Sequence, residues 1–146
     1  NRAKTPIIND KNYEFKFGKA VKLIEGDDLT IISTGTMVYW SLEAAKILKK
    51  DNIDTCVINI HTIKPIDRDA IIRTAKKTGM IVTVEEHSII GGLGSTITEI
   101  LGEEYPIPIK MIGTKDVFGE SGEYEELLKK YGLTTENIVK LARELI

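Results

Sequence analysis

The feature that most constrains this chain is a hydrophobic period that keeps switching between two values along its length. Short apolar runs at Val21–Ile24, Leu29–Ser33, 55–60, 80–84 and 109–112 have the length and β-branched character of strands. Between them the period becomes 3.6. Met37–Lys50 predicts a helix with two apolar stripes, Val38, Leu42, Ala45 and Leu48 beside Met37, Trp40, Ala44 and Ile47. Two stripes suit either a helix deep in a large sheet or one that also meets a partner. A second helix starts at Asp67, an N-cap residue type, and ends at Gly79. A third carries Leu93, Ile97, Ile100 and Leu101 and closes at Gly102. A fourth is expected to be capped by Ser121 and stopped by Gly132, and a fifth starts at Thr134.

Strands alternating with helices of this length predict a three-layer α/β/α fold around a mostly parallel sheet. The Gly26-Asp27-Asp28 turn between the first two strands is too short for a parallel crossover, so one strand of the five is antiparallel. At 146 residues one compact domain is expected. Tyr13, Phe15 and Phe17 alternate with charged residues and predict a half-buried extended segment before the first strand.

Composition excludes several function classes. Twenty basic against 22 acidic residues give net charge −2, so no basic footprint for nucleic acid or an anionic membrane is present. No apolar run approaches the roughly 18 residues of a membrane span. One cysteine, Cys56, and two histidines rule out an internal disulfide and argue against a zinc centre. The default compartment is the cytoplasm. Asn1 is not an initiator methionine, which is expected of a trimmed chain or a piece of something larger.

The most site-like cluster is Glu85-Glu86-His87 followed by Gly91-Gly92-Leu93-Gly94, an acidic and imidazole group beside a Gly-rich helix entry at a strand's carboxyl end. The glycine spacing is not that of a dinucleotide fingerprint. Three readings stay open for it: close helix packing, a polar contact to another domain, or a catalytic pair. His61 follows a strand and is expected in a loop with its ring bonded to backbone. The segment Lys115-Asp-Val-Phe-Gly-Glu120-Ser121-Gly is a Gly-flanked loop opening on a helix, read as capping. Gly26-Asp27-Asp28 with Asn52 weakly resembles a metal–diphosphate motif, but the third residue and the paired Asn are wrong, and turn chemistry accounts for it.

The ordered set Val-Ile-Asn-Ile-His-Thr-Ile-Lys-Pro-Ile-Asp (57–67), Thr-Val-Glu-Glu-His (83–87), Ile-Gly-Gly-Leu-Gly-Ser (90–95) and Lys-Asp-Val-Phe-Gly-Glu-Ser-Gly (115–122) resembles the C-terminal domain of transketolases, in their split bacterial and archaeal form above all. The resemblance runs from about Arg2 to Ile146. It implies a five-stranded mixed sheet between helices, with 1–18 a tail or linker from a preceding pyrimidine-binding domain and 19–146 the domain proper.

It further implies two-carbon ketol transfer between sugar phosphates by a whole enzyme that uses thiamine diphosphate and Mg²⁺, both held by catalytic domains outside this chain. Partners would be those catalytic domains or an N-terminal subunit, in a homo-oligomer. The chain alone is expected to bind no cofactor and to be inactive. Arg2 resembles the arginine that grips the substrate phosphate, a task suited to a planar guanidinium. His61, Glu85, Glu86, His87, Gly91, Gly92, Gly94, Glu120 and Ser121 are candidates for a domain interface or polar cluster. The rival readings are a docking module like that of 2-oxoacid dehydrogenase β subunits, a deoxyxylulose phosphate synthase domain, and an anion-binding regulator at the Gly91–Ser95 helix entry.

Overall fold

A computed structural model describes residues 5–9 and 11–146; Arg2 lies outside them. The described chain runs β1 (Val21–Ile24), β2 (Leu29–Ser33), α1 (Met37–Lys50), β3 (Thr55–Asn59), α2 (Arg68–Thr78), β4 (Ile81–Ser88), α3 (Leu93–Glu104), β5 (Ile109–Thr114), α4 (Tyr124–Lys130) and α5 (Thr135–Arg143). The five strands form one sheet in the order β1-β3-β2-β4-β5, and only β1 is antiparallel.

β1 and β2 are consecutive yet not neighbours, because β3 lies between them. The turn joining them crosses the start of β3, where a Cβ on Gly26 would come within 2.3 Å of the Thr55–Cys56 backbone. Only glycine fits so close an approach. Asp28 secures the crossing: its amide donates to the Asp54 carbonyl at 2.9 Å and its carboxylate accepts from the Asp54 amide at 2.7 Å.

Strand alternation sorts the core into two faces. Leu29, Ile31, Val57, Val82 and Val84 point to the side covered by α1, α4 and α5. Ile32, Cys56, Ile58 and Ile81 point to the side covered by α2 and α3. Near-continuous apolar strands are what a sheet buried on both faces requires.

The two stripes of α1 serve this chain's own core. Met37 and Ala44 of the second stripe are fully buried, and Trp40 is half-buried against the cluster that α5 completes. The Thr135 hydroxyl donates to the Trp40 carbonyl at 3.4 Å, and Arg143 Nε to Asp51 at 3.1 Å. α5 therefore takes the place of the external partner that a two-striped helix could have met, and only Ile47 stays exposed at the edge.

Helix ends follow local chemistry with two exceptions. Asp67 caps α2 by accepting from the Ala70 amide at 3.2 Å, Gly79 closes it in the left-handed region, and Thr134 caps α5. Ser121 does not cap α4; that helix starts three residues later, after Glu123. Gly102 does not close α3, which runs through it to Glu104. The segment before β1 forms no strand. Phe15 and Phe17 stand 62% and 69% exposed, so their alternation does not mark burial there.

Candidate functional site at the switch point of the sheet

After β2 the chain turns to β3 on one side and then to β4 on the other, so β2 and β4 are the pair at which the strand order reverses. α1, which follows β2, and α3, which follows β4, cover opposite faces. A crevice opens beyond the carboxyl ends of such a pair, the place where ligands collect in sheets of this kind. Here it is a cleft of about 530 Å³ lined by Thr34, Gly35 and Thr36 from one strand end and Glu85, Glu86, His87, Gly91 and Gly92 from the other, with Ile63 at its rim.

β4 is longer than its apolar run, and the acidic pair lies inside it. Alternation then sends each carboxylate to a different helix layer. Glu85 shares the face of Thr83, toward α3. Its side chain is 1% exposed and accepts from the Leu93 amide at 2.7 Å and the Gly94 amide at 2.8 Å, one bond to each oxygen. Those amides belong to the first turn of α3, whose own N-cap, Gly92, has no side chain to offer. The carboxylate thus satisfies two orphan donors and sets a negative charge against the positive end of the helix. Gly92 must be glycine for this to happen, since a Cβ there would fall 2.1 Å from Glu85 Oε2.

Glu86 faces the other layer. It accepts from the Thr36 hydroxyl at the start of α1 and from the Tyr124 hydroxyl at 3.0 Å, tying α1 and α4 to the end of β4. His87 returns to the α3 side, 66% exposed in its side chain, with Nδ1 4.0 Å from Glu85 Oε2 and 2.9 Å from the Ser88 carbonyl. The geometry gives Glu85, Gly92 and Gly94 a packing role, whereas a Cβ on Gly91 would meet nothing within 4 Å. A carboxylate whose two oxygens both hold backbone amides is committed to the helix. The same bonds place the protein's own carboxylate at the Gly91–Ser95 helix entry.

The other candidates lie elsewhere. His61 does not bond to backbone as expected. Its Nδ1 lies 2.8 Å from the Thr62 hydroxyl, its ring packs on Phe15 with centroids 4.6 Å apart, and Nε2 is buried with no partner among the described residues. Glu120 and Ser121 are exposed on the loop after β5, where Glu120 pairs with Lys130 at 2.6 Å, and neither lines the cleft. Sequence reasoning missed Thr36 and Tyr124, whose link to Glu86 had no local signal. Cys56 is buried in the α2 face, and burial pushes its thiol above its ordinary range. Among the described residues no group of three acidic, histidine or cysteine side chains is arranged to hold a metal, and no helix is long and apolar enough to cross a membrane.

Residues 18–138 match the family model described as transketolase, C-terminal domain. The chain is 48% identical over 138 residues to the 6-deoxy-6-sulfo-D-fructose transketolase subunit of Clostridium sp. (strain MSTE9), covering 94% of this chain and 43% of that protein. It is 41% identical over 146 residues to an apulose-4-phosphate transketolase subunit of Phocaeicola vulgatus, covering 99% and 46%. A solved structure described as a split gene transketolase, inactive beta4 tetramer, superposes with a TM-score of 0.94 at 44% identity, covering 99% of this chain and 47% of that one. The chain therefore spans less than half the length of the curated relatives it matches.

Proposed function

The chain belongs to the transketolase C-terminal domain family, and from that premise we propose that it is the C-terminal domain of a cytoplasmic, thiamine-diphosphate-dependent transketolase moving two-carbon ketol units between sugar phosphates. Residues 1–18 would be the tail from a preceding pyrimidine-binding domain and 19–146 the domain itself. Its work is to pack against the catalytic domains or subunit and to support a homo-oligomer, with Arg2 reaching the substrate phosphate. His61, Glu86 and His87 are the members of the polar cluster best placed for a contact across domains.

One observation carries this reading: the one crevice type that open α/β sheets use for ligands is present, but its central carboxylate is spent on holding a helix. The residues here do not fit thiamine diphosphate and Mg²⁺. No Lys or Arg among the described residues lines the cleft, Glu86 would repel a diphosphate, and Glu85 has no oxygen left uncommitted to a backbone donor. A reactive centre built by other domains accords with that, as does a chain less than half as long as its relatives. The test is a ketol-transfer assay on this chain alone and on the same chain joined to its catalytic domains. Turnover confined to the joined form supports the reading; turnover by the chain alone refutes it.

A further inference from the structure

Among the described residues ten large hydrophobic side chains are exposed, and six of them gather at one edge of the sheet. Val117 and Phe118 lie on the loop after β5, Ile90 on the loop after β4 and Ile63 on the loop after β3. β1 runs antiparallel, so the chain enters it from that same carboxyl edge and brings Phe15 and Phe17 with it. Phe15 packs on His61, and a Cβ on Gly18 would lie 3.2 Å from Pro65 Cγ, which keeps this segment beside the loop after β3. Phe118 is 99% exposed and Ile90 65%. Single exposed apolar side chains are ordinary, but a concentration of them at one edge marks an interaction surface.

Area and tether identify the occupant. A phenylalanine buries roughly 150–250 Å² on contact, so the three at this edge supply about half of the roughly 800 Å² that each partner brings to a standard interface. The switch-point cleft opens between them, with Ile63 at its rim, so two apolar ends flank a polar centre. The tail crosses the same edge: Thr5, Pro6 and Ile8 line a hollow of about 290 Å³ with Gly35, Thr36 and Tyr39 at the start of α1. Four residues span at most about 14 Å. The opposite edge lies a full helix away, about 21 Å along the 14 residues of α1. A domain joined ahead of residue 1 therefore starts within reach of the carboxyl edge and out of reach of the other. So short a tether holds two surfaces at an effective concentration of about millimolar or more.

We propose that the carboxyl edge of the sheet, from Phe15 and Phe17 at one end to Val117 and Phe118 at the other, is the docking surface for an apolar face of the domain that precedes residue 1 in the same chain. This rests on the reading of residues 1–18 as a tail from that domain. Hydroxyl-radical footprinting, read by mass spectrometry, compares this chain with the same chain joined to its catalytic domains. In the joined form the peptides carrying Phe15 and Phe17, Ile90, and Val117 and Phe118 should label at least about threefold more slowly, as side chains in a close-packed interface do. Ile47 and Tyr105, at the far ends of α1 and α3, should label equally in both forms. The double variant Ile90→Asp, Phe118→Asp should return Phe15 and Phe17 to the rate of the chain alone. Both positions are exposed, so its urea midpoint in the chain alone should not move. Unchanged labelling of the edge on joining, or protection at Ile47 and Tyr105 instead, would overturn the proposal. So would an edge already protected in the chain alone that opens on dilution, since a second copy would then be the occupant. The ketol-transfer assay separates the two readings: an active joined form with an open edge refutes only this proposal, and an inactive one with a protected edge refutes only the catalytic reading.

Discussion

Glu85→Gln tests whether the central carboxylate of the cleft is a structural cap, because it changes one atom's chemistry at nearly constant shape. Glu85 is 1% exposed and holds the Leu93 and Gly94 amides with one oxygen each. The amide side chain keeps one acceptor and turns an NH₂ toward the other backbone N–H. One charge-assisted bond is lost, its donor is left buried and unsatisfied, and the surviving bond becomes neutral. Hydrogen bonds to charged groups contribute about 1.5–3 kcal/mol, and a stranded donor costs a similar amount. Loss of the charge facing the helix N-terminus adds about 0.3–1 kcal/mol.

The expected total for Glu85→Gln is about 2–4 kcal/mol, and Glu85→Ala should reach the upper end or beyond because both amides are stranded. Urea unfolding followed by circular dichroism reads this directly. With a slope of roughly 2 kcal/mol per molar, the midpoint should fall by about 1–2 M while the slope is unchanged. A loss under about 0.5 kcal/mol for the Gln variant would refute the cap, since that is the scale of an ordinary surface change.

Three further outcomes are expected. Gly94→Ala should destabilise by about 1–3 kcal/mol in the same urea assay, because its Cβ would fall 2.6 Å from Met111 Sδ and 2.8 Å from Thr83 Oγ1 and push α3 off the sheet. Lys22 foremost, then Lys77, hold the Glu25 carboxyl below its ordinary value of 4.5; its folded pKa is depressed, so its contribution is present above pH 4.5 and is lost as pH falls through the folded value. Glu25→Gln should therefore flatten part of the acid limb of a stability–pH curve and leave the neutral region's slope unchanged. Burial raises the Cys56 thiol above its ordinary 9.0, so stability from this group is level below pH 9 and declines above it. Native Cys56 should accordingly resist a thiol reagent at pH 8 and react once urea unfolds the chain.

The strand and helix order is legible in the sequence because apolar runs and 3.6-residue stripes report burial directly, and these layers bury one face of every helix. The place of β1 is less so. A short turn forces β1 and β2 to run oppositely, but nothing local says that β3 enters between them; that depends on Gly26 passing over Thr55, a contact 29 residues away in sequence. The start of α4 is hidden for a related reason: Ser121 has the side chain of a cap, yet the exposed loop carries the chain past it before the helix begins at Tyr124.

The cleft shows the same limit. Acid, imidazole and glycines at a strand end are readable as a cluster, and their position at the switch point follows from the strand order. Which layer each side chain meets is not readable, because the apolar run that marks β4 stops at residue 84. Once the strand continues to Ser88, alternation alone sends Glu85 to α3 and Glu86 to α1 and α4. Glu85 caps α3 from eight residues before Leu93, outside the N-cap window in which such roles are normally sought.

Isothermal titration of this 146-residue chain with thiamine diphosphate in the presence of Mg²⁺ tests whether it is a scaffold domain whose reactive centre other domains assemble. No binding isotherm is expected at millimolar cofactor. A saturable isotherm with a micromolar dissociation constant would contradict it.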